Sequence, residues 1–313
     1  MKKILSIALC VLMVLPMVAQ EKQKGSSIAL GVVVEELAEP FPANAKLQIE
    51  NKLKTLITRN GIASMDFLGQ FFITAFAVPQ QKEVIPGPPA QIAEQMDITF
   101  YIADYINQKI YATATLSTRG VGTNETKSYM DAIKHINLNS TALKNFVEEG
   151  RAKIVDYYNA EAENIIAKAK SLAHQKQYEQ ALYMLTSIPS ECEEYMQSLA
   201  VADEIYQMYV DNACNENLAA AKAAWAAEQN ATGAANAGYY LANILPDAKC
   251  YSDAEALYAE IKAKVLDDWK FEMKKWQDGI DLESQRINAQ REIGVAWGKG
   301  QQPTTTNIGF LGR

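Results

Sequence analysis

Histidine and cysteine, which most often carry metal and acid–base chemistry, are sparse in this sequence. The 313 residues include two histidines, His135 and His174, each in a helix-like stretch among polar neighbours. A metal site needs several ligands at a defined spacing, and no CxxC pair is present. We interpret both histidines as solvated helix residues. The sequence therefore predicts no metal ligand, no cofactor and no catalytic residue.

A glycine pair before a predicted helix could hold a phosphate. Gly120 and Gly122 flank Val121 at a point where the amides of a helix N-terminus can cradle an anion. No Lys-Ser/Thr pair follows as in a P-loop, and the third glycine of a dinucleotide fingerprint is absent. The same residues suit a strand-to-helix turn with Thr123 or Asn124 as the N-cap. We expect a non-enzymatic protein, and an enzyme whose site is assembled from distant residues is the third alternative.

The first 19 residues have the pattern of a secretory signal. Lys2 and Lys3 give a basic start, Ile4 to Leu15 form an apolar stretch, and a small-residue end at Ala19 precedes Gln20. We expect cleavage after Ala19. The alternatives are an uncleaved anchor and a buried N-terminal helix.

The charge balance argues against nucleic acid as a partner. Lys and Arg number 30 against 37 Asp and Glu, for a net charge of −7, and no basic cluster extends beyond Lys274-Lys275. Anionic membrane surfaces are disfavoured for the same reason. No later segment is apolar enough to span a membrane, and Cys10 lies inside the apolar stretch rather than at a mature N-terminus. We therefore predict neither membrane insertion after signal cleavage nor a lipid anchor.

Residues 20–140 predict a small α/β domain of element order βαβββα. Apolar residues recur at helical spacing from 44 to 60, and a second helix follows Gly122. The strand predictions rest on β-branched and aromatic residues, and they cover 27–36, 71–78, 96–106 and 109–117. Between the second and third of these strands, Pro79 to Pro89 contains four prolines and predicts an exposed contact loop.

Residues 141–251 predict helical hairpins that repeat. Ala181, Tyr183, Leu185 and Ile188 match residues 56 positions later, and a proline and then a cysteine follow in both units. Such hairpins bury their apolar face only by stacking on neighbours. The whole chain is therefore predicted as α+β, with a small α/β domain followed by α-helical hairpins and a C-terminal helix.

The repeat also predicts one disulfide. In a hairpin whose first helix starts near Cys214 and whose second ends near Leu245, the antiparallel return brings Cys250 beside Cys214. Cys192 holds the equivalent position in the earlier unit, but no cysteine begins that unit's first helix. We expect Cys214–Cys250 as the disulfide and Cys192 as the free thiol.

Residues 252–298 predict a long C-terminal helix with an apolar stripe. The stripe exceeds what two hairpins can cover, so it should contact a partner helix, another subunit or a second domain. Its candidate interaction residues are Trp269, Met273, Trp276, Ile280 and Trp297. The alternative is a break near Gly279, since glycine is costly within a helix. The tail 299–313 predicts a flexible segment or an arm that orders on a partner.

Three stretches of the chain resemble known classes of protein. Tyr178-Glu179-Gln180-Ala181-Leu182 resembles tetratricopeptide repeats, which implies peptide binding and assembly. The stretch 113–158, with its GVGTNET turn, resembles the small domains of exported flagellar accessory proteins and related outer-membrane lipoproteins, which bind partners without catalysis. The signal ending in Val-Ala-Gln is similar to those of exported Bacteroidales proteins.

A further resemblance points to a virion. Ile188-Pro189 with Cys192, and Ile293-Gly294-Val295-Ala296-Trp297-Gly298 with Gln302-Pro303, resemble the ring proteins of the tail stem of crAss-like bacteriophages. That likeness implies a structural subunit assembled as a multi-copy ring, with the long helix and the tail as inter-subunit arms.

The sequence thus predicts an exported, non-enzymatic binding or assembly protein of a Bacteroidales-type cell envelope. We expect it in the periplasm or at the outer membrane, with protein partners or as a homo-oligomer. The alternative is a phage tail-ring subunit in the virion.

Overall fold

A computed structural model of the chain describes residues 28–34, 42–65, 67–265, 269–275, 277, 280–302 and 309–312. The predicted signal segment 1–19, Trp276 and Gly279 lie outside these ranges. Across the described part of the chain, no helix is long and apolar enough to cross a membrane.

The predicted α+β class is confirmed. Five strands come first: β1 (Ala29–Val32), β2 (Ala63–Met65), β3 (Phe71–Ile85), β4 (Gln91–Asp104) and β5 (Lys109–Gly122). The helices are α1 (Ala43–Arg59), α2 (Glu125–Lys134), α3 (Thr141–His174), α4 (Tyr178–Thr186), α5 (Tyr195–Ala227), α6 (Ala231–Leu241), α7 (Tyr251–Val265) and α8 (Leu282–Gly300), and a 3₁₀ turn covers Gly309–Gly312.

The sheet has the strand order β2-β1-β3-β4-β5. The first three strands in this order are parallel, and β3, β4 and β5 form an antiparallel meander. The described strands thus add β2 to the predicted order, which becomes βαββββα. Three residues between a helix and a loop carry too little periodicity to predict such a strand.

The predicted loop at Pro79 to Pro89 is wrong in its first half. Strand β3 continues through Pro79 to Ile85, with a register irregularity between Pro79 and Gln81. Among the described residues, β1 pairs with β3 only at Gly31 and Val32. Pro79 therefore faces no neighbouring strand on that side, and the backbone N–H that proline lacks is not needed there for a hydrogen bond. Proline is tolerated at such an edge or bulge. The hairpin is nevertheless exposed, as predicted for the loop.

One face of the sheet packs against helices α1, α2 and α3. The glycines before α2 permit this contact, because a Cβ on Gly120 would lie 1.9 Å from the carbonyl oxygen of Ser128. Helix α2 begins after Asn124, whose side chain accepts a hydrogen bond from the Lys127 amide. The predicted strand-to-helix turn with an N-cap at this position is confirmed.

The opposite face of the sheet receives the end of the chain. Leu311 is buried there with Phe72 and Ala103, and the Phe310 ring lies 6.4 Å from that of Phe72. The described residues at the end of the predicted tail thus pack on the protein's own sheet. These residues bury apolar surface on a strand face that the helices leave uncovered.

The helices after the sheet alternate long and short, and the structural repeat follows the sequence repeat. Short helix α4 packs between α3 and α5, and short helix α6 packs between α5 and α7. Tyr183 on α4 and Tyr239 on α6 are the matched tyrosines. The buried residues of the sheet and of these helices form one continuous core.

The predicted long C-terminal helix is wrong. Helix α7 ends at Val265 and α8 begins at Leu282, where Asp281 caps it by accepting a hydrogen bond from the Ser284 amide. Between them, 269–275 packs against α6, with Trp269 beside Gly238. A single straight helix would leave this apolar stripe in water. Folding back buries Met273 to 7% exposure within the chain's own core.

Candidate binding groove

A cavity of about 490 Å³ opens where the sheet, the α3–α4 hairpin and α8 meet. Four half-buried rings from four separate parts of the chain line it: Tyr105, Tyr157, Tyr183 and Trp297. We call this cavity the aromatic groove. Its other lining residues include Leu68, Gln70, Asn107, Ile165, Lys168, Gln180, Met184, Gln301 and Gln302.

The loop before β3 forms one wall of the groove, and the end of α8 holds it. The Gln302 side-chain amide accepts a hydrogen bond from the Leu68 amide at 2.8 Å and donates one to the Leu68 carbonyl at 3.0 Å. This two-bond pairing mimics a neighbouring strand. It fixes a loop that has no regular structure of its own.

The turn between β4 and β5 carries Tyr105 and is organised by a buried carboxylate. Asp104 accepts hydrogen bonds from the Asn107 backbone amide, the Asn107 side chain and the Gln70 side chain, each at 2.8 Å. The Tyr105 amide in turn donates to the Gln70 carbonyl. Asp104 therefore locks two walls of the groove to each other without facing the cavity itself.

Helix α8 reaches α4 through two glycines spaced four residues apart. A Cβ on Gly294 would lie 2.8 Å from the Tyr183 backbone, and a Cβ on Gly298 would lie 2.7 Å from the Tyr183 ring. This close approach brings the Trp297 ring to 5.4 Å from that of Tyr183. Small residues at such spacing allow helices to pack backbone to backbone.

A cation anchors the other end of α8 to α5. The Arg286 guanidinium lies 2.9 Å from Asp203 and 3.3 Å from Asp247, and it stacks over the Tyr206 ring at 5.6 Å. These contacts fix the rotation of α8, and so they fix the direction in which Trp297 faces.

Two of the tyrosines that line the groove, Tyr158 and Tyr183, are neutral groups. Tyr157 and Tyr158 lie with their rings 5.3 Å apart, and both contact Phe71 of the sheet. Burial raises the pKa of Tyr158 well above its usual value, and burial also raises the pKa of Tyr183. Both phenols therefore remain protonated at physiological pH. They can pack and form hydrogen bonds, but they cannot act as bases.

Besides Ser187 and the tyrosine hydroxyls, the polar lining of the groove is one lysine and several amides. Lys168 is exposed on α3, and neither it nor the side chains of Gln180 and Gln301 bond to another described residue. No acidic residue is among the described residues that line the cavity. The groove therefore offers ring surface, one cation and two unoccupied amides.

The predicted interaction residues separate in the structure. Trp297 lies in the groove, whereas Trp269 packs against Tyr258 and Phe271, with ring centroids 5.4 and 5.2 Å away. Met273 is buried, and Ile280 is 48% exposed away from the groove. Trp276 lies outside the described residues. The stripe therefore does not form one binding surface.

Cys214 and Cys250 form a disulfide, with their Cα atoms 6.1 Å apart. Cys192 is a buried free cysteine, and burial raises its pKa to about 11.

Within the described residues, no group of three His, Cys, Asp or Glu side chains could hold a metal ion. His135 and His174 are both exposed, as interpreted from the sequence, and His135 lies 3.7 Å from Asp131, one helical turn earlier.

Sequence reasoning missed most of the groove. Tyr105, Tyr157 and Lys168 follow no motif, and only the fold brings them together. Tyr183 was visible as a repeated position, but its match, Tyr239, is 70% exposed. The available signal in the sequence was the repeat itself, which places a tyrosine at the same position of both units.

No family model matches the chain, and no curated protein matches it. Two solved structures resemble part of it. A minor lipoprotein from Acinetobacter baumannii is 17% identical, with a TM-score of 0.24, over 41% of this chain and 92% of that one. A candidate lipoprotein from Caulobacter crescentus CB15 is 9% identical, with a TM-score of 0.21, over 44% of this chain and 93% of that one. At these scores the likeness assigns neither family nor function.

Proposed function

We propose that this protein is an exported, non-enzymatic binding protein of a bacterial cell envelope, and that it holds a protein partner in the aromatic groove. The observation that carries the proposal is the lining of the groove. Rings from four elements meet there beside unoccupied amides, in a cavity within the size range of ligand sites.

Tyrosine and tryptophan side chains in such a cavity favour a role in binding rather than in catalysis. Tyrosine and tryptophan bury large rigid surfaces at low entropic cost, and they are enriched among the residues that carry binding energy. The groove's wall is also preformed, because Gln302 and Asp104 already fix the loop and the turn. A preformed site avoids much of the ordering cost of binding.

Two features support export. The first 19 residues have the pattern of a secretory signal. Disulfides persist in oxidising compartments such as the periplasm, which suits the Cys214–Cys250 pair.

Site-specific photo-crosslinking in living cells tests the partner. A photoreactive side chain replaces Met184, a half-buried residue that lines the groove, and the matched control replaces Tyr240, the half-buried residue 56 positions later on α6. We expect a discrete crosslinked protein from position 184 and none from position 240. Equal crosslinking at both positions, or none at position 184, would contradict the proposal.

The mass of the protein from the envelope fraction tests export. We expect a chain that starts at Gln20 and is two hydrogens lighter than the fully reduced form. An intact Met1 end in that material would contradict the export part of the proposal.

A further inference from the structure

We infer that the aromatic groove binds the carboxyl-terminal end of a partner chain whose last residue is aromatic, with the terminal carboxylate at Lys168 and the last ring among Tyr157, Tyr183 and Trp297. This inference rests on the proposed function and names the part of the partner that is recognised.

Charge complementarity indicates an anionic group. The chain carries a net charge of −7, yet the described lining of the groove has one lysine and no acid. On α3, the positions one turn from Lys168 include Asn164 and Leu172, so no carboxylate neutralises it along the helix. Lys153 of the same helix, by contrast, pairs with Glu149 at 2.6 Å. Lys168 is thus a cation open to an incoming carboxylate, and such charge-assisted bonds are among the stronger hydrogen bonds.

The rings indicate what is attached to that anion. Tyr183 and Trp297 lie 5.4 Å apart at an interplanar angle of 45°, and Tyr157 is half-buried in the same cavity. Aromatic pairs prefer tilted or edge-to-face contacts at such distances. A further aromatic side chain extends this cluster, and in a C-terminal residue it lies only a few bonds from the carboxylate.

The unoccupied amides indicate a peptide rather than a small aromatic acid. Each of Gln180 and Gln301 offers a donor and an acceptor, and neither side chain bonds to another described residue. The backbone of the residue before a C-terminus presents the matching acceptor and donor. Capture of a chain end through its carboxylate and backbone is a recurring recognition mode.

Titration calorimetry with short peptides tests the inference on the full mature chain. The probes are acetyl-Ala-Gly-Phe as the free acid, the same peptide as its C-terminal amide, acetyl-Ala-Gly-Ala acid, and 3-phenylpropionate. We expect the Phe acid to bind, and we expect the other three to bind at least about tenfold more weakly, which corresponds to about 1.4 kcal/mol. Each of these lacks the charge, the ring or the backbone.

Matched lysine variants locate the carboxylate. Lys168→Gln should lower the affinity for the Phe peptide acid to the affinity of the wild type for the corresponding amide, because the ion pair is lost. Lys170→Gln, on the same helix but outside the groove lining, should leave the affinity unchanged.

Three results would overturn the inference: equal binding of acid and amide, no effect of Lys168→Gln, or binding of 3-phenylpropionate as tight as that of the peptide. Failure of the proposed function looks different. If position 184 captures a partner in cells while the Phe acid does not bind, only the choice of a chain end is wrong. If position 184 captures nothing, the groove itself is not the binding site.

Discussion

Removing the disulfide between Cys214 and Cys250 should destabilise the chain by an amount that its loop length sets. The two cysteines are 36 residues apart in sequence. In the chain-entropy model, freeing a loop of that length gives the unfolded state about 13 cal/mol/K, or about 4 kcal/mol at 25 °C. At an m-value of about 3 kcal/mol/M, the urea midpoint falls by about 1.3 M.

Equilibrium urea unfolding compares the oxidised wild type with Cys214→Ala/Cys250→Ala and with the reduced wild type. The reduced protein separates the loop effect from the small cavity that alanine leaves at buried Cys214. Amide hydrogen exchange shows which region is destabilised. Helix α6 lies inside the loop that the disulfide closes, so its amides should lose protection first. A midpoint loss equivalent to less than about 1 kcal/mol in both forms, or equal loss of protection in β4, would refute the loop-closure reasoning.

Three other perturbations follow from the packing. Gly120→Ala should cost about 3 kcal/mol in thermal unfolding, because its Cβ would meet the Ser128 carbonyl at 1.9 Å, whereas Gly300→Ala has open space and should be neutral. Cys192, with a pKa raised to about 11, should resist iodoacetamide at pH 8 until the chain unfolds, and rapid labelling of the folded protein would contradict its burial. Tyr158 holds the repeat position of Cys214, 56 residues earlier, so Tyr158→Cys should form a second disulfide with Cys192. The oxidised variant should then be four hydrogens lighter than its reduced form, and a difference of only two hydrogens would mean that the two units are not equivalent.

The C-terminal region shows where sequence reasoning reaches its limit. The apolar stripe from Trp269 to Trp297 is visible in the sequence, but periodicity cannot tell which of its residues are covered, or by what surface. In the structure, α6 packs against Trp269, and α4 contacts one side of the Trp297 ring and leaves the other part in the groove. The inter-subunit arms implied by the tail-ring resemblance correspond, in the described residues, to segments that pack on their own chain.

The hairpin of β3 and β4 shows a second limit. Prolines predict a loop, because proline lacks a ladder donor. The rule fails at Pro79 because, among the described residues, β1 stops pairing with β3 at Val32 and leaves that edge without a partner. Whether a strand has a neighbour on each side is a property of the sheet, and local sequence does not encode it.

Local physics determined several features of this protein from the sequence alone. Strand and helix types, the Asn124 cap, the repeat and the Cys214–Cys250 pairing depend on residues near one another in the chain or on a hairpin's antiparallel return. The aromatic groove depended on tertiary structure. Its four rings come together only when α8 packs against α4, a close approach that Gly294 and Gly298 allow: Tyr105, Tyr157, Tyr183 and Trp297. Contacts between residues more than a hundred positions apart leave no periodic signal, because they are decided by which buried surfaces fit together.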